Sequence, residues 1–403
     1  MIIYNIGLRF LHFFIWVGSF FNAKAKLFVD GRKETFEKLN TFKNSLGQKE
    51  SIYWFHCASL GEFEQARPLI EEYKHRHPDI KIAISFFSPS GYEVQKKYAL
   101  ADIVFYLPMA SKTNALKVLD VLKPEKIFFI KYEFWLNYIN EAYKQRIPVY
   151  LVCALFNPQQ FFFQWYGKIF LNILPKYAAI FVQDEASVQL LEKYNIKSIA
   201  CGDTRFDRVL TNKAKAKKNE LIESFANGKK IIVLGSSWPT EEELIFSAKE
   251  ELLNYKIIIA PHDISRNLII PSHLRSIKYS EASTGNIADA EVLIIDNIGM
   301  LASLYSYAYI AFVGGGFRAS LHNILEAAVF GIPVIYGNQT IKHPEAEALQ
   351  EAGGGIIISD LQELKTQLTM LLSNSNKWAE MAENAALFVA KNTGATQKIL
   401  NEI

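Results

Sequence analysis

The sequence predicts an α/β protein built as two parallel-sheet halves. Three observations predict it. Apolar strand-like runs alternate with amphipathic helical stretches along nearly the whole chain. Those runs lack strict polar alternation, as strands buried on both faces do. The rhythm pauses once, at a polar, lysine-rich stretch, and then restarts. At 403 residues the chain is longer than one core usually organises, so two domains are expected.

In chain order, the first half offers strands in SIYWFHCA (51–58), KIAISFFS (81–88), ADIVFYLP (101–108), KIFFI (126–130), VYLVCAL (149–155) and AAIFVQ (178–183). A helix is expected from about Glu62, and SGYEVQKKYA and KTNALKVLDVLKP supply others. The pause is NKAKAKKNELIESFANGKK (212–230). The second half offers IIVLGS (231–236), YKIIIAP (255–261), VLIID (292–296), YIAFVGGG (309–316) and PVIYG (333–337). The expected divisions are a membrane-associating helix at 1–22, a first Rossmann-like domain at 34–208, a linker at 209–230 and a second domain at 231–403. The last helix is expected to be able to pack back on the first domain. Open sheets of this kind bind ligands at the carboxyl ends of their strands, so two of them are expected to face each other across a cleft.

Composition narrows the function. The formal net charge is +3, from 44 basic and 41 acidic residues, too balanced to argue for nucleic acid. Cys57, Cys153 and Cys201 lie far apart and read as buried thiols. No HExxH occurs, which gives no case for a metal. The opening IIYNIGLRFLHFFIWVGSFF is nearly all apolar but carries Asn5, Arg9 and His12, and Lys24, Lys26, Arg32 and Lys33 follow. Arg9 makes clean spanning costly, and its position does not suit a signal peptide. The segment therefore reads as a helix lying in, or dipping into, one leaflet, with its basic residues on anionic headgroups. The other reading is an apolar helix packed on its own domain. LFNPQQFFFQWYGKIFLNIL (155–174) reads equally as a membrane-facing shelf or an aromatic core.

The stretch GGGFRASLHNILEAA (314–328) asks for a nucleotide. No GxxxxGK[ST] is present, which disfavours a P-loop. Gly314 to Ala319 fits G-x-G-x-x-A, but the next strand ends in Gly337-Asn338 without the acid a dinucleotide fold wants. HNILEAAVFG reads as a helix ended by Gly331, with Asn323 and Glu326 on one face of its first turn. A helix start favours an anion, and a carboxylate beside it suits ribose hydroxyls. The plainer reading is that Asn323 and Glu326 form a capping box.

Seven ordered blocks make the sequence recognisable: HCASLGEFEQARPLI, SPSGYE, KYEFWLN, GDTRFDRV, GSSWPTEEE, APHD and VGGGF…HNILEAAVFGIPVIYG. In these it resembles the Kdo (3-deoxy-D-manno-octulosonic acid) transferases of Gram-negative lipopolysaccharide synthesis, over essentially the whole chain. The resemblance implies a GT-B fold, with acceptor on the first domain and nucleotide-sugar on the second. It implies metal-independent, inverting transfer of Kdo from CMP-Kdo to a lipid A precursor, with no cofactor, at the cytoplasmic face of the bacterial inner membrane.

The resemblance assigns the catalytic base to the Glu of a Ser-x-Gly-Glu block, here Ser59-Leu60-Gly61-Glu62. A strand-to-helix turn would hold Glu62 where a carboxylate can take the proton of an acceptor hydroxyl. The alternative for Glu62 is a carboxylate that only steadies the helix dipole. Ser59, Gly61, Ser90, Gly91, Glu133 and Arg205 are the candidate acceptor or Kdo contacts. Arg205 and Arg208 either meet phosphates or pair with Asp203 and Asp207. Glu64 is expected to be solvated. On the donor side the candidates are Ser236, Ser237, Trp238, Pro261, His262, Ile298, Gly299, Met300, Gly315, Asn323, Ile324, Leu325 and Glu326. Three positions depart from the family pattern: on the donor side His262 stands where the family has Arg and Met300 where it has Glu, and in KYEFWLN Leu136 replaces a common Pro. The competing readings are another GT-B enzyme, such as a UDP-sugar transferase or epimerase, and a membrane-bound lipid-binding module with a disabled donor site.

Overall fold

The computed structural model describes residues 2–47, 50–318 and 320–403, with Lys249 described by its backbone alone. Ala319, the last residue of the G-x-G-x-x-A match, lies outside the described residues. Internal contacts divide the chain into two units, Met1–Arg208 with Gly394–Ile403, and Val209–Thr393.

The first unit holds seven strands: β1 (Ile52–Cys57), β2 (Lys81–Phe86), β3 (Ile103–Tyr106), β4 (Lys126–Ile130), β5 (Val149–Ala154), β6 (Ala179–Val182) and β7 (Ile199–Ala200). Their order is β3-β2-β1-β4-β5-β6-β7, with every pairing parallel. All six residues of β1 are buried, which is why that run shows no alternation. One core face is organised by Trp54, Phe105 and Phe129, the other by Phe55, Phe86 and Phe128.

The second unit repeats the plan with β8 (Lys230–Ser237), β9 (Tyr255–Pro261), β10 (Ser276–Lys278), β11 (Val292–Ile294), β12 (Ala308–Val313), β13 (Val334–Gly337) and β14 (Gly355–Ile358). Their order is β10-β11-β9-β8-β12-β13-β14, again wholly parallel. In each sheet the chain winds outward from a central first strand, returns, and winds out the other way. The crevice beside that first strand is where such sheets bind ligands. In the first unit it lies between β1 and β4, in the second between β8 and β12.

The stretch expected as a linker, 209–230, is mostly helical. One helix runs Thr204–Lys215 and a second Glu220–Ala226. The second is capped by Asn219 and buries Ile222 and Phe225, an apolar pair three residues apart that the surrounding lysines obscure. The last ten residues belong to the first unit. Ile399, on the helix Ala395–Asn401, joins the core that holds Phe181 and Cys201. Asp207 caps that helix from a distance: its carboxylate accepts from Gly394 N (2.6 Å), Thr396 N (2.7 Å) and Thr396 Oγ1 (2.6 Å). Asp207→Ala is expected to cost about 1–2 kcal/mol, as cap losses do. It should also raise amide exchange at 394–403, and unchanged exchange there would remove this role from Asp207.

The helix Ile2–Gly18 buries no residue fully, yet it is not detached. Tyr4 and Leu8 pack against the first unit's core, and Asn137 donates to Asn5 Oδ1 at 2.8 Å. Many of its other side chains are exposed, with Ile3 86% and Phe14 66% exposed, and Phe21 just beyond is 87% exposed. No single helix among the described residues is long and apolar enough to cross a membrane. This helix and the next, Ala23–Lys33, reach that length and apolarity only as a pair bent by 118°. Arg32 does not point to headgroups as the sequence suggested. Its guanidinium donates to the carbonyls of Phe28 (2.9 Å), Leu107 (2.9 Å) and Phe87 (2.7 Å). The aromatic patch at 155–174 divides: Phe162 is buried against Phe134 and Phe156, while Trp165 and Tyr166 are exposed.

Candidate active site

In the first unit, β1 ends at Cys57 and the helix Leu60–Arg76 starts at once. Glu62 sits in its first turn, where its Oε2 accepts from Ser59 N at 3.0 Å and from the Ser59 hydroxyl. The carboxylate thus closes the helix start, as the plainer reading had it. Its Oε1 has no hydrogen-bond partner among the described residues, so one oxygen remains to accept from a ligand. Ser59 orients Glu62, and Gly61 is exposed with nothing but the Ser59 hydroxyl near the position of a Cβ, at 3.8 Å.

Across the crevice, beyond the end of β4, stands Glu133. Its Oε2 is 2.9 Å from His56 Nε2 and accepts from Trp135 Nε1 at 2.5 Å. His56 is fully buried, and its Nδ1 lies 2.8 Å from Ser85 Oγ, which also accepts from Trp54 Nε1 at 2.8 Å. With Trp54 donating, the Ser85 proton is free for His56 Nδ1, which leaves Nε2–H to donate to Glu133. One polar chain therefore runs from the sheet interior to the Glu133 carboxylate. Sequence reading missed His56, Ser85 and Trp54. The one signal was a histidine inside an otherwise apolar strand, beside the Ser-x-Gly-Glu block. Glu62 and Glu133 converge electrostatically: after burial, their two charges are the next largest causes pushing the Cys57 thiol well above its ordinary value.

Other first-unit candidates turn out differently. Gly91 is buried, and a Cβ there would lie 2.2 Å from the Phe86 ring, so close packing accounts for it rather than ligand contact. Ser90 donates its N–H to Ser88 Oγ at 3.3 Å. Arg205 pairs with Asp203 at 2.7 Å, whereas Arg208 reaches Glu64 (3.4 Å) and Glu71 (3.2 Å). Glu64 is consequently paired rather than solvated, and it also meets Arg67 at 2.9 Å.

In the second unit, Ser236 and Ser237 end β8, Trp238 starts the turn into the helix Pro239–Ser247, and the glycine run follows β12, so the two segments flank the crevice. The approach is close. A Cβ on Gly314 would lie 2.2 Å from Ser236 O, and Gly315 takes φ 85°. Gly315 N donates to Glu241 Oε1 at 2.8 Å, which ties the glycine turn to the helix Pro239–Ser247 that follows β8. The ring of His262 stacks on Trp238 at 4.5 Å and lies 4.7 Å from His322. The Arg318 guanidinium lies over the Trp238 face at 4.7 Å. Two polar atoms of this cluster, Trp238 Nε1 and His322 Nε2, are buried without a hydrogen-bond partner among the described residues. Glu241, Arg318 and His322 were not singled out from the sequence, although all three lie inside the quoted blocks.

Asn323 Oδ1 accepts from Leu325 N at 3.2 Å, and its amide approaches Glu326 Oε1 at 3.4 Å. The helix here is only Leu325–Ala328, shorter than expected. The side chains of Ile324 and Leu325 are wholly buried, so only their backbones are available to a ligand. Ser237 Oγ is committed to Glu242 at 2.7 Å, and Pro261 is buried at the end of β9. Ile298 is 85% exposed, Gly299 takes φ 97°, and Met300 precedes the helix Leu301–Leu304.

Burial, then the charges of His262 and His343, push His322 down to about 4 from 6.5. The folded unit thus binds fewer protons here than the unfolded chain between those two values, so stability falls as pH drops through that window. Melting scans from pH 7 to 4 should show a steeper loss for wild type than for His322→Gln. Parallel curves would exclude His322 as a cause.

Two seven-stranded parallel sheets, each with its motifs at the switch point, define a GT-B-type protein. In fold, the chain is similar to UDP-GlcNAc 2-epimerase from Neisseria meningitidis, with TM-score 0.60 and 17% identity over 88% of this chain and 99% of that one. The family described as 3-deoxy-D-manno-octulosonic-acid transferase (kdotransferase) matches residues 33–208. The 3-deoxy-D-manno-octulosonic acid transferase of Aquifex aeolicus is 30% identical over 349 residues, 84% of this chain and 91% of the relative. That of Rickettsia felis is 29% identical over 368 residues, 87% of this chain and 78% of the relative. The chain belongs to the Kdo transferase family.

Proposed function

We propose that this protein transfers Kdo from CMP-Kdo to a lipid A precursor, with inversion at the anomeric carbon and without a metal. The observation that carries the reading is the position of the family motifs: Glu62 and Glu133 flank the crevice of the first sheet, and Ser236–Trp238 and Gly314–Gly316 that of the second.

In this reading Glu62 Oε1 accepts the acceptor hydroxyl proton as the oxygen attacks the anomeric carbon. The bond from that carbon to the CMP phosphate oxygen breaks, and the electron pair leaves with CMP. Glu133, held by His56 and Trp135, positions the sugar. The departing phosphate gains charge, which calls for fixed donors. With His262 in the family's Arg position, Arg318 over Trp238 supplies a permanent cation, and Trp238 Nε1 and His322 Nε2 supply hydrogen-bonding atoms. Asn323 and Glu326 hold the ribose. The exposed apolar face of Ile2–Gly18 enters the cytoplasmic leaflet of the inner membrane, aided by Lys24 and Lys26.

The test is a reaction with CMP-Kdo generated in situ and a tetraacylated lipid A precursor in detergent, read by mass spectrometry. A product heavier by one or more Kdo residues, formed with release of CMP, is expected. Intact CMP-Kdo together with thermal stabilisation by UDP but not CMP would sink the reading in favour of a UDP-sugar enzyme.

A further inference from the structure

A cavity of about 690 Å³ lies between the helix Ile2–Gly18 and the start of the helix Lys112–Leu122. Arg9, His12, Arg32, Lys33 and Lys112 line it, and no Asp or Glu does. Lys33 is matched by Asp30 at 2.7 Å, outside the lining. The other cations have no carboxylate partner among the described residues. Arg32 in particular is fixed by three carbonyls, which orient its charge without neutralising it. The rest of the wall combines apolar side chains, among them Leu8, Trp16 and Met109, with the neutral polar Asn5, Ser111, Thr113 and Asn114. Cations beside neutral hydrogen-bonding groups match an anionic head that carries hydroxyls, and the apolar side chains match an apolar body joined to it.

Position narrows the ligand further. Pro108 and Met109 follow β3, and Phe87 follows β2, so the cavity lies toward the carboxyl edge of the sheet, where Glu62 and Glu133 stand. Phe87, whose carbonyl holds Arg32, packs its ring 4.8 Å from that of Trp135, which donates to Glu133. The volume falls within the roughly 300–1,000 Å³ of small-molecule sites, more than a bare phosphate needs.

We propose that this cavity is a subsite for the phosphate-bearing head of the lipid acceptor, a phosphate monoester on a sugar, gripped by Arg9 and Lys112 against the fixed charge of Arg32. The assignment rests on the proposed function, because it takes the acceptor to be a phosphorylated lipid. It adds a reason for the first helix to be anchored through Tyr4, Asn5 and Leu8: the anchor makes that helix one wall of a binding site.

The test is calorimetric titration of the full chain in detergent micelles, without CMP-Kdo. The titrants are the phosphorylated acceptor and the same lipid after enzymatic dephosphorylation. Wild type should bind the phosphorylated form at least roughly tenfold more tightly, the scale expected when hydrogen bonds to a charged group are lost. The doubly substituted Arg9→Gln, Lys112→Gln protein should bind both forms alike, at the affinity wild type shows for the dephosphorylated one. Both side chains are exposed, so an unchanged melting temperature is the control for folding. Undiminished discrimination in the variant would overturn the proposal, as would no binding of either form by wild type. If the variant kept its discrimination but lost binding to phosphatidylglycerol vesicles, the cations would serve bilayer lipid and the proposal would fall. Inorganic phosphate binding as tightly as the phosphorylated acceptor would equally replace it with a site for the soluble anion. Binding is read without the donor, so absence of Kdo transfer would count against the proposed activity and leave this result standing.

Discussion

Glu62→Gln is expected to lower kcat by roughly 10²–10⁴-fold, the range of general base catalysis, with little change in KM for either substrate. The amide is a sharp substitution here. Its oxygen can still accept from Ser59 N, so the helix start is kept, but it cannot take a proton at the other position. Single-turnover product formation, with the melting temperature and CMP binding as controls, separates the chemistry from folding and donor binding. A folded variant with near wild-type kcat would show that Glu62 only closes its helix and that Glu133 must be tried as base.

The second large effect concerns stability. Gly316→Ala is expected to destabilise the second unit by about 1–3 kcal/mol and lower its melting temperature by several degrees. A Cβ at this position would lie 2.4 Å from Gly337 N and 2.7 Å from its Cα, and backbone cannot swing away as a side chain can. Gly337 is equally constrained, since its own Cβ would meet Gly316 C at 2.4 Å. The two glycines touch where β12 and β13 end, so relief of the clash should displace the glycine turn and weaken CMP binding too. Gly285→Ala, where a Cβ would meet nothing within 4 Å, is the control and should be close to neutral. Equal melting temperatures for the two variants would contradict the packing argument.

The expectations that held share a physical cause. Runs such as YWFHC and KIFFI are buried on both faces, so their hydrophobicity alone reports a parallel central strand. β7 has two residues and β10 is an exposed edge strand, and neither carries enough buried apolar surface to stand out. β14 opens on a glycine after two more, which disguises four consecutive sheet positions. The motifs of the candidate site stand out in the sequence because they are local: strand end, turn and helix start fall within a few residues. The contacts that complete them were not. His56 meets Glu133 across 77 positions, and Gly315 meets Glu241 across 74. Crevices are assembled from strands adjacent in space, not in sequence, so these partners appear only once the strand order is known. The departures at His262 and Met300 showed a change of chemistry but could not show that Arg318 stands over the same aromatic ring.

The return of residues 394–403 to the first unit has a consequence for how the protein is made. A unit that needs residues 394–403 cannot be finished before they have left the ribosome. The first unit must wait through synthesis of all of Val209–Thr393 with the seat of Ile399 uncovered. The second unit, continuous in sequence, is free to close earlier. The order of maturation is therefore the reverse of the order of translation. Loss of the helix Ala395–Asn401 would damage the unit that carries Glu62, far from it in sequence.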